Sequence, residues 1–134
     1  MATKLNKNTA TYRDLDLRMS VNPVSGDISI LNDVRAVIQS VRNIVTTSAG
    51  EFLWEPNIGA GISSLLFELN LPVTKMKMFD KITQNLTRFE PRIEIVDLSV
   101  VDIANGNGIS ITITFYMLNN PVAYVESISI KRVR

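Results

Sequence analysis

The chain has 134 residues, 46% hydrophobic and 20% charged, with a formal net charge of +1 and neither cysteine nor histidine. That is the size and composition of one globular domain with a proper core, and the charge balance argues against the clustered basic face that nucleic acid requires. Without cysteine there is no disulfide framework and no thiol nucleophile, and without histidine the usual general base and the commonest zinc ligand are missing.

Residues 1–11 are polar and read as a flexible arm, leaving 12–134 as a single domain. The N-terminus has no apolar signal core, and no apolar run approaches the roughly 20 residues that span a bilayer. No membrane partner is expected, and the protein is expected to be made and kept in a cytosol. From Tyr12 to Met19, Leu15, Leu17 and Met19 alternate with Asp14, Asp16 and Arg18, the pattern of a half-buried extended segment. Asn22-Pro23 and Ser25-Gly26-Asp27 are turn chemistry, and Ile28 and Ile30 mark a second short strand. Asp14 and Asp16 fall short of a calcium loop, which needs further oxygens and a glycine turn. Asn32 to Thr47 is the first clear helix: Asn32 caps it, Asp33 sits in the first turn, and Val34, Val37, Ile38, Val41, Ile44 and Val45 form one apolar face.

Gly50 to Gly61 is a loop holding the only tryptophan. Trp54 reads either as a plug of the core under the loop or as an anchor at a protein interface. A short helix follows from Ser63 to Leu69, with Leu65, Leu66 and Leu69 inward. The second main helix runs from Thr74, its natural cap, to Phe89, with Phe79, Ile82, Leu86 and Phe89 as its stripe and Met78 widening it. Lys75, Lys77 and Lys81 form a solvated face.

Glu90-Pro91-Arg92 is the corner on which the chain turns. Proline disfavours α conformation in the residue before it, so the helix must stop at about Phe89, and Pro91 feeds an extended segment. The apolar phase slips at Ile95-Val96 and again at Val100-Val101, which predicts a bulge, or faces that change their partner along the strand. Asn105-Gly106-Asn107-Gly108 is a hairpin turn. Ile109, Ile111, Ile113, Phe115 and Met117 then alternate cleanly with polar residues. In the tail from Tyr124, Ile128 and Ile130 alternate with Ser127, Ser129 and Lys131, and the chain closes on Arg132-Val133-Arg134. This strand either closes the domain's own sheet or pairs with another chain. The fold class is α+β: two main helices and a short one on an antiparallel or mixed sheet carrying the Arg92–Leu118 hairpin.

Catalysis must rest on carboxylates. Glu51, Glu55 and Glu90 are the candidates in glycine- or proline-marked segments, but nothing brings two of them to the 5–9.5 Å spacing of a glycosidase. No catalytic residue, cofactor site or metal site is assigned.

Taken together, the segments resemble the baseplate wedge family of contractile-tailed phages, also known as the sheath initiator and historically as lysozyme-like, with a relative in type VI secretion systems. The resemblance rests on Tyr12 with Asp14 and Asp16, Thr46-Thr47 before Gly50-Glu51, Pro56 with Gly59, Leu66-Phe67-Glu68 and the signature Glu90-Pro91-Arg92 before a strand hairpin. Phe52-Leu53 and Trp54 depart from the family pattern. The resemblance implies a non-enzymatic protein of the virion tail baseplate, assembled in the host cytoplasm. Its corner, Glu90, Pro91 and Arg92, would dock on the helical core bundle of other wedge proteins. Sheath subunits would be met by strand exchange, for which the tail residues Ile128, Ile130, Lys131 and Arg132 are the candidates, and Trp54 is a further candidate contact. A type VI secretion component and a peptidoglycan hydrolase are the alternatives.

Overall fold

A computed structural model describes residues 12–68, 72–104, 107–118 and 120–131. The expected arm, Leu69, half of the expected hairpin turn (Asn105 and Gly106) and Arg132 lie outside the described residues. The elements are β1 (Arg13–Leu15), β2 (Ile30–Asn32), α1 (Val34–Thr46), α2 (Ile62–Leu65), α3 (Pro72–Phe89), β3 (Ile93–Asp102), β4 (Gly108–Met117) and β5 (Asn120–Lys131). The α+β class is therefore observed, and both sheets are antiparallel: a ribbon β1-β2 and a three-stranded sheet β3-β4-β5. The chain forms two compact units, Met1–Gln39 and Ser40–Arg134, with the boundary inside α1.

In the first unit the expected strand to Met19 is cut short. Asp16 captures the Arg18 amide at 3.0 Å and the Ser20 hydroxyl, and Met19 turns left-handed at φ 54°. These local bonds offer the backbone an alternative to the ladder. Leu15, Leu17 and Met19 are accordingly exposed, not half-buried. Gln39 ties down the chain where it leaves β1 for the connecting loop: its amide accepts from Leu17 N–H at 3.1 Å and donates to Leu15 O at 2.9 Å. Asn32 belongs to β2 and is not the helix cap. Asp33, at φ 44°, makes the turn into α1: its amide donates to Tyr12 O, its carboxylate takes Tyr12 N–H, and its carbonyl takes the first helical amide from Val37.

In the second unit the core is built as alternation predicts. Ile109, Ile111, Ile113, Phe115 and Met117 of β4 are all buried, as are Ile93 and Leu98 of β3 and Ile128 of β5. The slip at Ile95-Val96 is a real bulge, since pairing jumps from Ile95↔Phe115 to Asp97↔Thr114. The slip at Val100-Val101 is not one, because the register there is continuous. Helix α3 ends at Phe89, where Glu90 N–H still donates to Leu86 O at 2.9 Å before Pro91 stops the ladder. It begins two residues before the expected cap, on Pro72, whose fixed φ suits a first helical position. Thr74 is buried inside its first turn. Met78, Ile82 and Leu86 face inward, whereas Phe79 stays 44% exposed. Helix α2 is one turn, shorter than expected, and Leu65 and Leu66 are buried. Two of the lysines are paired: Lys75 with Asp102 at 2.6 Å and Lys77 with Glu68 at 3.7 Å.

Candidate interaction surfaces and family

The corner is a closed ion pair. Glu90 is 1% exposed, yet it is a carboxylate. Arg92 returns two residues later to fork it, Nε to Oε1 at 2.5 Å and Nη2 to Oε2 at 2.6 Å, and Ser40 adds a further hydrogen bond. Burial alone drives the Glu90 carboxyl up, but the Arg92 and Ser40 hydrogen bonds and the Arg92 charge together hold it below its ordinary value. Bidentate geometry of this kind is specific to guanidinium. The Arg92 carbonyl accepts from Leu118 N–H at 3.0 Å, which ties the corner to the far end of β4. Pro91 is left on the surface and Arg92 half-buried. A cavity of about 400 Å³, lined by Glu94, Tyr116, Met117, Leu118, Asn120 and Pro121, opens along the adjoining strand ends.

The loop after α1 is tied down at its base and bare at its tip. Ala60 N–H donates to Ile44 O at 3.1 Å and Gly61 N–H to Thr47 O at 3.3 Å, so the returning chain satisfies carbonyls that the helix end leaves open. Gly59 approaches the same helix end so closely that a Cβ there would stand 2.5 Å from Thr47 O, and its φ of 108° favours glycine besides. Its amide donates to Asn85 Oδ1 at 3.1 Å. Across the loop Gly50 N–H meets Pro56 O at 2.9 Å. Between these ties Phe52, Leu53 and Trp54 point outward, Leu53 87% and Trp54 92% exposed. The reading of Trp54 as a core plug is therefore wrong: the ties that close the loop hold its tip away from the core.

The C-terminal strand pairs within its own sheet. From Gly108↔Lys131 to Tyr116↔Ala123 every residue of β4 has a β5 partner. Ile128 is buried, Ile130 half-buried and Lys131 exposed; neither isoleucine side chain is displayed as a surface contact, and among the described residues the outer edge of β5 has no strand partner. Glu126, also facing inward, is met by the Arg42 guanidinium from α1; the partners lie 84 residues apart, too far for any local pattern to link them.

The candidate carboxylates are engaged separately. Glu51 Oε2 takes the Ser48 amide at 3.0 Å, Glu55 lies 3.9 Å from Arg88, and Glu90 is locked by Arg92. Among the described residues no three His, Cys, Asp or Glu side chains gather where a metal ion would bind.

Residues 32–122 match the family model described as baseplate wedge protein gp25. The chain is 27% identical over 110 residues to baseplate wedge protein gp25 of Enterobacteria phage T4, covering 82% of this chain and 83% of that one. Among solved structures, a protein from Geobacter sulfurreducens described provisionally as a tail lysozyme superposes with a TM-score of 0.66 at 21% identity, over 73% of this chain and 89% of that one. A chain of the anti-feeding prophage baseplate superposes with a TM-score of 0.63 at 18% identity, over 92% of this chain and 87% of that one. By the family-model match over two thirds of its length, the chain belongs to the baseplate wedge protein gp25 family and is a structural component of a contractile tail baseplate.

Proposed function

We propose that the protein is a non-enzymatic wedge component that docks through its corner and its loop tip on the helical bundle of other wedge proteins, and that the outer edge of β5 seeds the first ring of sheath. The observation that carries this reading is the corner. Glu90 holds Arg92 in one orientation and is itself buried, so the docking surface is centred on the exposed Pro91, with the half-buried Arg92 and the strand ends around it. Trp54 supplies apolar area: an indole and its backbone bury about 200 Å², worth at most roughly 5 kcal/mol of gross hydrophobic gain. An unpaired strand edge is a template for strand addition, and Lys131 at its end, followed in the sequence by Arg132, favours an acidic partner edge.

The same geometry speaks against glycan hydrolysis. A general acid needs a carboxyl whose pKa is raised, and Glu90, the most buried candidate, is shifted the other way. The decisive experiment assembles wedges and sheath from purified components. Trp54→Ala should remain folded and enter wedges poorly. Lys131→Glu with Arg132→Glu should enter wedges normally and leave baseplates without sheath. Normal sheath on the doubly reversed protein sinks the β5 assignment. Peptidoglycan clearing by the wild type, lost in Glu51→Gln, Glu55→Gln or Glu90→Gln, sinks the structural reading.

A further inference from the structure

The cavity beside the corner holds a carboxylate that the chain leaves unneutralised. Glu94 lies directly across the ladder from Tyr116, so the two side chains stand side by side, about 5 Å apart at Cβ. They share the outer face of the sheet, since Tyr116 alternates with the buried Phe115 and Met117 and both it and Glu94 are exposed. Among the described residues Glu94 has no ion-pair partner and the Tyr116 hydroxyl no hydrogen-bond partner. From Ile93 to Asp102 the strand carries no cation, and Arg92, just before it, is spent on Glu90. The rest of the cavity is apolar and held in place. Met117, Leu118 and Pro121 line it, and the Leu118 amide is fixed by the Arg92 carbonyl. Asn120 is pinned twice, its Nδ2 donating to the Tyr124 hydroxyl at 2.7 Å and its Oδ1 accepting from Val122 N–H at 3.1 Å.

We infer, building on the corner as the docking surface, that this cavity takes an arginine side chain of the docked partner: the guanidinium lies on the Tyr116 ring and is forked by Glu94, and its methylenes run along Leu118 and Pro121. A planar guanidinium stacks on an aromatic face while presenting its edge to a carboxylate beside the ring; a lysine ammonium is more strongly hydrated and has no plane to stack. The volume of about 400 Å³ leaves room for one such side chain and a few waters. Walls that are fixed beforehand reduce the ordering cost of binding. The chain's own C-terminal arginines do not reach the site. Arg132 and Arg134 follow Lys131, which pairs with Gly108 at the other end of β4. The ten residues of β4 span about 30 Å, and three residues of chain cover roughly 10 Å.

The test has two arms, both on the full chain. In the first, N-acetylarginine methylamide is titrated to tens of millimolar against its neutral isostere, N-acetylcitrulline methylamide. Amide shifts in a nitrogen-15 spectrum should centre on Glu94 and on Tyr116–Leu118. The citrulline compound should bind at least about tenfold more weakly, a difference of roughly 1.4 kcal/mol. Glu94→Gln should cost the arginine compound a similar factor and Tyr116→Leu about threefold, with the rest of the spectrum in place. In the second arm the same variants are added to the purified helical bundle of the other wedge proteins, and Glu94→Gln should bind it at least about tenfold more weakly than wild type. Equal binding of the two compounds, no shift at all, or a bundle that holds Glu94→Gln as well as wild type overturns the arginine site and leaves the docking surface standing. Wild type that does not bind the bundle overturns the docking reading, and with it the partner assigned here, even where the arginine compound binds. Tighter binding of the arginine compound by Lys4→Gln with Lys7→Gln overturns the assignment too, since the occupant would then be the chain's own N-terminal segment.

Discussion

The segment from Leu15 to Met19 and strand β4 carry the same apolar alternation, yet only β4 buries it. In β4 five apolar side chains from Ile109 to Met117 are all buried, and Ile113 and Phe115 are wholly enclosed. In the first unit Leu15, Leu17 and Met19 stay in solvent. Alternation defines a face, and a face becomes a core only where something covers it. β4 is the central strand, paired on both sides along almost its whole length. The ribbon has three residues per strand and one partner each, and a lone two-stranded ribbon is marginal in water.

Point substitutions on the two alternations should separate most sharply. Phe115→Ala should cost about 4 kcal/mol in denaturant unfolding, for lost transfer energy and the cavity left behind. Leu17→Ala should fall within about 0.5 kcal/mol of wild type. Equal losses at the two sites would mean that the first unit has a core of its own.

The corner ranks next. Arg92→Ala leaves a buried carboxylate without its fork and should cost about 3 kcal/mol, with Arg92→Lys recovering only part because an ammonium cannot make both parallel bonds. The pH dependence has a defined sign. Glu90 titrates below its ordinary 4.5 in the folded chain, so its contribution is fully present above that value and is lost as pH falls through the lower folded pKa. Urea unfolding at pH 7 and at pH 3 should show the gap between wild type and Arg92→Ala narrowing in acid. A gap that widens would contradict the assigned ion pair.

Two glycines give the smallest and most local contrast. Gly59→Ala meets both a positive φ and the Thr47 carbonyl, and should lose about 2 kcal/mol. Gly26→Ala, at φ 70° in open space, meets only the backbone penalty of about 1 kcal/mol. Equal losses would show that the loop yields at Thr47 and that the tip carrying Trp54 is less firmly held than its hydrogen bonds indicate.

The candidate surfaces were legible in part. Glu90-Pro91-Arg92 is visible as a motif, but that Arg92 spends its fork on Glu90 is visible only in three dimensions. Trp54 stood out by its rarity and Phe52-Leu53 as departures from the family pattern, but that all three point outward was not legible. The tail was readable as a strand and not as a strand of its own sheet. Phe79 misled, because positions 76, 79, 82 and 86 are compatible with one helical face when helix orientation is unknown; a second apolar row through Val73 and Met76 was the available sign.

What the sequence by itself determined is whatever short-range sterics and periodicity decide: the end of α3 before Pro91, the irregularity at Val96 and the inward face of β4. These depend on residues a few places apart, and the chain carries that information locally. Only the tertiary structure decided which apolar residues are covered, which carboxylate meets which guanidinium, and which strand edge is left open. Each of those depends on groups brought together from distant parts of the chain, as Arg42 and Glu126 are, and the free energy of covering a side chain or pairing a charge is a property of the assembled neighbourhood and not of the residue.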